Sequence, residues 1–322
     1  MRGGFAMRLR PTLLSSIIGL VLVTAAAIGG GAVFLTMSIS RSLIEEARGS
    51  AVKSAREETR QFFAAGPRIT DELTQLARRG VLPFDRRDLL VAQFAERLRA
   101  FPTLYSVGYG DVAGWYVGAL RNRAGEVVEY IADPQIDGAM PDQVAVAADG
   151  TRSPPTDPER NPYLVVNRPW FKSGIVADGP IWSPFYTFIT GATGITATSR
   201  FVPQGASAPR GVFAVDLQID SMAKFLTTLS VGRHGAVFLV DRDGHRVVDP
   251  SGENAARTAA ALDAAAAQVR TADLEHPTWV RSGSRFYEVI FEPVPTDGDV
   301  GLSIGVVVDL RDVSRGAYRH GL

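Results

Sequence analysis

Residues 194–219 read GITATSRFVPQGASAPRGVFAVDLQI. Two runs dense in β-branched, aromatic and aliphatic residues, Gly194 to Val202 and Gly211 to Ile219, flank a segment rich in proline, glycine and serine. That texture predicts two strands of an antiparallel sheet. Toward the N-terminus it recurs at Leu104 to Tyr109, Trp115 to Leu120 and Glu126 to Ile131. Asp133 to Pro162, crowded with Pro, Asp and Gly, reads as a long loop of the functional or disordered kind. Toward the C-terminus a helix, Asp220 to Thr228, leads to a second β block: Ala236 to Val240, His245 to Val248, Thr278 to Val280, Arg285 to Phe291 and Leu302 to Val308. Asp243-Gly244 is a hairpin signal between its first two runs, and the alanine-rich stretch Glu253 to Thr271 is helical by propensity. The fold class is therefore α+β.

Ahead of the first strands lies helical text. Ser38 to Ala65 is free of proline, with Leu43, Ala47, Ala51, Ala55 and Phe62 at near-helical spacing, and Pro67 is expected to end it. Such a helix rises roughly 40 Å. Its small-residue stripe suits either packing on its own domain or a stalk that meets the same helix of a second chain in a homodimer. A second helix, Asp85 to Ala100, sets Leu89, Leu90, Phe94 and Leu98 on one face and closes at Phe101-Pro102. Further upstream, Pro11 to Ser40 carries no charge, and Leu13 to Met37 exceeds the roughly 20 residues that span a bilayer. Arg2, Arg8 and Arg10 precede this run, which places the N-terminus in the cytoplasm and everything after about residue 40 in the periplasm, on a single-pass inner-membrane anchor. The competing reading is a signal peptide cleaved near Ala25-Ala26-Ala27. Both readings export the remainder.

The composition narrows the function. With 34 Lys plus Arg against 34 Asp plus Glu there is no basic field to attract nucleic acid. The absence of cysteine removes disulfides, thiolate metal sites and thiol nucleophiles. The four histidines, His234, His245, His276 and His320, fall near no hydrolase, zinc-protease or phosphate-loop motif, so neither an enzyme nor a cofactor is expected. Asp241-Arg-Asp-Gly-His245 lacks the further acids of a calcium loop and reads as a turn, and no metal site is expected.

Two segments carry a resemblance: Tyr163-Leu-Val-Val-Asn-Arg168-Pro-Trp170-Phe171, and Trp182-Ser-Pro-Phe-Tyr186 leading to Gly194-Ile-Thr-Ala-Thr and then to Gly211-Val-Phe-Ala-Val-Asp216. Their order is similar to the double Cache family, extracytoplasmic sensor domains of bacterial chemoreceptors, histidine kinases and nucleotide cyclases. Gly235 to Gly244 resembles the strand-turn opening of the second Cache module. The resemblance implies two PAS-like modules behind a long helix. The divisions are a cytoplasmic N-terminus (1–12), a transmembrane helix (13–37), the stalk and second helix (38–100), a membrane-distal module (101–230), a membrane-proximal module (231–310) and a tail (311–322).

It also implies a ligand site. In amino-acid-binding members Arg and Trp of an R-x-W element hold the ligand carboxylate, which carries over to Arg168 and Trp170. A Tyr-x-Asp element and a later strand-end Asp hold the ammonium, which carries over to Tyr186 and Asp216. Tyr163, Phe171, Trp182 and Phe188 complete the expected lining. Phe188 stands where the family has Asp and Phe171 where it has Tyr. One carboxylate fewer undercompensates a buried ammonium, so a small carboxylate with an apolar or aromatic body suits the remaining groups better than an ordinary α-amino acid. As a structural alternative, Arg168 pairs with Asp216 or with a loop acid in a plain salt bridge. No output domain follows the second module before Leu322, so the chain is either part of a longer receptor or a sensor that acts through a separate output protein. The rival function is a membrane-anchored scaffold that binds protein and senses no small molecule.

Overall fold

A computed structural model describes residues 20–22, 24, 49–122, 124–137, 141–145, 151, 153, 162–269, 277–294 and 300–311. The expected span Leu13–Met37 lies outside them except at 20–22 and 24, which are helical, and the tail lies outside them beyond 311. Among the described residues no helix is long and apolar enough to cross a membrane.

Helix α1 occupies 49–78 without a break, so Pro67 does not end it. A proline inside a helix costs about 3 kcal/mol through one lost hydrogen bond and a carbonyl clash. Here the buried side chains of Phe63, Ile69 and Leu73 offset that cost. Gly66 lets the helix approach the first sheet closely: a Cβ there would stand 2.7 Å from the Trp182 ring and 2.8 Å from Ala197 Cβ. Thr70 Oγ1 also donates to the Pro67 carbonyl at 2.9 Å. Helix α2, Arg87–Ala100, buries Leu90, Val91, Phe94, Ala95 and Leu98. Leu89, expected on that face, is exposed, because the buried stripe starts one residue later.

The first sheet holds β1 (Ser106–Asp111), β2 (Tyr116–Arg121), β3 (Val127–Ala132), β4 (Pro141–Ala145), β5 (Ile181–Trp182), β6 (Tyr186–Thr187), β7 (Thr193–Phe201) and β8 (Gly211–Gln218). The order is β4-β3-β2-β1-β8-β7-β5, with β6 also on β7, all antiparallel. The five predicted strands are present with shifts of one or two residues. β4 and a one-turn helix α3 (Pro134–Asp137) fall within the stretch predicted as loop. β5 and β6 are two residues each, too short for alternation to register in sequence.

One face of this sheet receives α1, α2 and the connection between them. Phe84 meets Tyr109 edge-on at 5.0 Å and stacks on Phe201 at 5.3 Å, and Phe94 contacts Phe213. The opposite face is covered by a 3-10 turn, Val165–Asn167, and by α4, Pro169–Gly174. Pro169 opens α4, where its fixed φ and missing N–H suit the first turn. Helix α5 (Ile219–Thr228) then leads to the second sheet.

That second sheet is β9 (Ala236–Asp241), β10 (Arg246–Val248), β11 (Thr278–Ser282), β12 (Arg285–Pro293) and β13 (Leu302–Asp309), in the order β10-β9-β13-β12-β11. The expected Asp-Gly turn joins β9 to β10, with Gly244 at φ +80°, a conformation glycine adopts without steric cost. Helix α6, Glu253–Val269, lays Ala261, Leu262 and Ala265 on Phe238, Tyr287, Val289 and Phe291.

Candidate functional site

The face of the first sheet turned away from α1 and α2 owes its shape to glycine. Gly108 and Gly118 are partners across β1 and β2. A Cβ on either would lie 2.2 or 2.3 Å from the Tyr116 hydroxyl, so the bare backbone lets the Tyr116 ring lie flat on the sheet. Gly110 makes room in the same way for Val165 and Trp170. On this floor four phenols gather. Tyr116 is 4.9 Å from Tyr163 and 5.8 Å from Tyr130, ring centre to ring centre, and Tyr130 is 5.5 Å from Tyr163. Tyr186 stands edge-on to Phe188 at 5.1 Å, and Phe188 stacks on Tyr105 at 5.4 Å. Burial pushes the phenols of Tyr116, Tyr130, Tyr163 and Tyr186 above their ordinary range, so all four are neutral donors at physiological pH.

Two charges enter this aromatic box. Arg168 sits at the N-cap of α4, and its guanidinium lies 5.7 Å from the Tyr163 ring centre and 5.5 Å from that of Tyr186. It donates one N–H to the Thr187 carbonyl at 3.0 Å, and its Nε is buried without a partner. Asp216 comes from β8, where the register sets it opposite Ser106 on β1 and Thr196 on β7. Ser106 Oγ donates to its Oδ2 at 2.5 Å and Thr196 Oγ1 to its Oδ1 at 2.6 Å. Because Thr196 has one hydroxyl hydrogen, it accepts from Tyr186 at 2.7 Å, which completes the order Tyr186, Thr196, Asp216. Burial pushes the Asp216 carboxyl up to about 6, against the opposing pull of the two hydroxyls and of the Arg168 charge.

The structure thus gathers Tyr163, Arg168, Tyr186, Phe188 and Asp216, packs Trp170 and Phe171 into the core beside them, and sends Trp182 to the other face of the sheet. Trp170 is only 2 % exposed and donates its indole N–H to the Tyr163 hydroxyl at 3.3 Å, so that donor is already engaged. Phe171 packs edge-on against Trp170 as core. Trp182 points to the opposite face of the sheet, where it meets Phe63 of α1 at 5.8 Å. Its neighbour across the strands is Ala197, whose side chain faces α1, whereas Thr196 faces the box. The alternative of an Arg168–Asp216 salt bridge is not realised: each carries its own hydrogen bonds, and the two share the box without forming an ion pair.

Sequence reasoning missed Ser106, Tyr116 and Tyr130, and named Thr196 without assigning it a role. Ser106 and Thr196 become visible only through strand register. Alternation along Val128, Tyr130 and Ala132 gives a weak signal for Tyr130, since all three join one buried cluster.

Elsewhere, Asp241, Asp243 and His245 bring ligating atoms within 4.8 Å of one another. Asp241 already accepts from the backbone N–H groups of Asp243 and His245 at 2.9 and 2.8 Å, which is the bonding of a turn. Two clefts of about 210 and 420 Å³ adjoin the second sheet, lined by Val240, Phe291 and Leu302 and by Leu226, Ala236 and Asn254 among others. Neither is lined by a residue with an unpartnered buried polar atom, whereas the box has Tyr130 and Arg168.

No family model and no curated protein matches the chain. Solved structures do match. The ligand-binding domain of the Pseudomonas fluorescens chemoreceptor CtaA in complex with L-serine aligns over 85% of this chain and 98% of its own, at 18% identity and a TM-score of 0.54. The ligand-binding domain of the Campylobacter jejuni chemoreceptor Tlp3 in complex with L-valine aligns over 87% and 98%, at 11% identity and a TM-score of 0.56. The extracellular domain of the putative histidine kinase mmHK1S-Z3 aligns over 88% and 98%, at 13% identity and a TM-score of 0.51. The first two neighbours are ligand-binding domains of chemoreceptors and the third is an extracellular domain. At such identities the likeness establishes the fold, an α+β architecture of helices and antiparallel sheets as expected from the sequence.

Proposed function

On that fold, we propose that the chain is the sensing part of a membrane receptor and binds a small carboxylate in the aromatic box of the first sheet. One observation carries the reading: Arg168 and Asp216, both half-buried, border the same cluster of aromatic rings, and no direct ion pair joins them. Opposite charges left unpaired in a poorly solvated place are costly unless a further group completes them. The planar fork of Arg168 suits a carboxylate. Asp216, held by two hydroxyls, takes a hydrogen-bond donor on the ligand body. Phe188 offers a ring face where the family has a second carboxylate, which favours an apolar or aromatic body over a plain α-amino acid.

In this reading the first sheet is the membrane-distal module and the second the membrane-proximal one. Leu13–Met37 anchors the chain in the inner membrane, and α1 serves as a dimer stalk. Binding shifts a two-state equilibrium of the dimer, read as a helix displacement of about 1 to 2 Å, and a separate or more distant output domain reads it. A specific observation supports protein contact as well: Trp279 on the edge strand β11 and Phe286 on its neighbour β12 are both more than half exposed.

The test is thermal unfolding of the full chain against small carboxylates, amines, purines and sugars, repeated on Arg168→Ala. A ligand at about 100 times Kd stabilises by about 2.7 kcal/mol. A carboxylate hit that the folded variant loses supports the reading. Equal binding by the variant overturns the assignment of the box.

A further inference from the structure

The Tyr130 hydroxyl has no role in the site described so far. Tyr130 sits in β3 opposite Gly118, is 2 % exposed, and packs its ring edge-on against Tyr116 and Tyr163. Its hydroxyl is buried and has no hydrogen-bond partner. Buried hydroxyls are paired in the large majority of cases, because leaving one unpaired forfeits its hydration with nothing in return. The other orphan donor of the box is Arg168 Nε. Both groups border the Tyr163 ring, and the Arg168 charge is felt at the Tyr130 phenol. Burial keeps that phenol protonated, hence able to donate. Trp170, the donor that the R-x-W resemblance implies, has already spent its N–H on Tyr163.

We infer that Tyr130 replaces Trp170 as the second donor of the anion site, so that one ligand carboxylate accepts from Arg168 Nε–H and from the Tyr130 hydroxyl. The inference rests on the sensor reading above and deepens it. The site recognises a monoanionic carboxylate by one charged and one neutral donor, with Tyr116 and Tyr163 as apolar walls beside it. Such a site rejects the corresponding primary amide, whose oxygen is a weaker acceptor and carries no charge for Arg168.

The experiment titrates the full chain with sodium propionate and with propionamide, following the thermal midpoint. The variants are Tyr130→Phe, Trp170→Phe and Arg168→Ala. Tyr130→Phe removes one oxygen from a site where it bonds nothing, so the unliganded midpoint is expected to stay or rise while propionate affinity falls about tenfold or more. Trp170→Phe is expected to keep propionate affinity within about twofold, since its N–H does not reach the ligand. Propionamide is expected not to stabilise any form. If Tyr130→Phe binds propionate as wild type does while Arg168→Ala does not, the sensor reading stands and the role of Tyr130 falls. A lowered unliganded midpoint in Tyr130→Phe also overturns it, because the hydroxyl would then be bonded within the protein. If wild type binds no propionate, the carboxylate site falls, and a hit of another class in the broader panel decides whether the sensor reading survives it.

Discussion

Replacing Asp216 by Asn is expected to stabilise the unliganded protein, and to do so only above mildly acidic pH. The carboxyl titrates at about 6 in the folded chain against an ordinary 3.8, with burial as the main cause. The folded state therefore holds the proton more tightly than the unfolded state between these values, and stability falls as pH rises through the window. Roughly two pKa units at about 1.4 kcal/mol each give a penalty of about 3 kcal/mol above pH 7, vanishing below about pH 4. The Ser106 and Thr196 hydroxyls can rotate to serve an amide, so Asp216→Asn loses little bonding while it removes the buried charge. Urea unfolding of wild type and Asp216→Asn, measured at half-unit steps from pH 4 to 8, reads the difference directly. The two curves should meet near pH 4 and separate by about 2 to 3 kcal/mol at pH 7.5, the variant being the more stable. Carboxylates held low by partners, such as Asp133 beside Arg87 and Asp241 in its turn, affect both proteins alike and cancel. A pH-independent difference, or a variant less stable at pH 7.5, would refute the picture of a desolvated, unpaired carboxylate.

Two further outcomes follow from the packing. Leu262 is fully buried on α6 and occupies the space a side chain at Gly305 would need, 2.5 Å from that Cβ position, so Leu262→Ala should cost about 2 to 5 kcal/mol. A urea midpoint shifted by less than 1 kcal/mol equivalent, with unchanged slope, would show that α6 does not seat the second core. Of the four tryptophans Trp115, Trp170 and Trp182 are at most 8 % exposed and Trp279 is 63 % exposed. Acrylamide quenching of the full chain should therefore be carried mainly by Trp279 and be largely lost in Trp279→Phe. Wild-type emission that resists acrylamide would mean that the β11 face is covered by a further chain.

How much of this was legible beforehand depends on the range of the interaction. β7 and β8 were readable from 194–219 alone, because β-branched content and turn residues are local properties. The end of α1 was misread for the complementary reason: Pro67 is a local stop signal, and the close seat that Gly66 allows on Trp182 and Ala197, distant in sequence, overrides it. β4, β5 and β6 exist only as partners of strands already formed and carry little signal of their own.

The same division runs through the site. Arg168, Tyr186 and Asp216 were nominated through the family resemblance, and a carboxylate was expected because the chemistry of a guanidinium is intrinsic to the residue. Sequence could not say that Trp182 faces α1, because adjacent strand residues point to opposite faces and a two-residue strand gives no parity to count. Nor could it show that Trp170 spends its N–H on Tyr163, or that the Tyr130 hydroxyl goes unpaired. Residue type and order determined which groups can act here. Register, face and hydrogen-bond satisfaction, which arise only when distant segments meet, decided which of them remain free to do so.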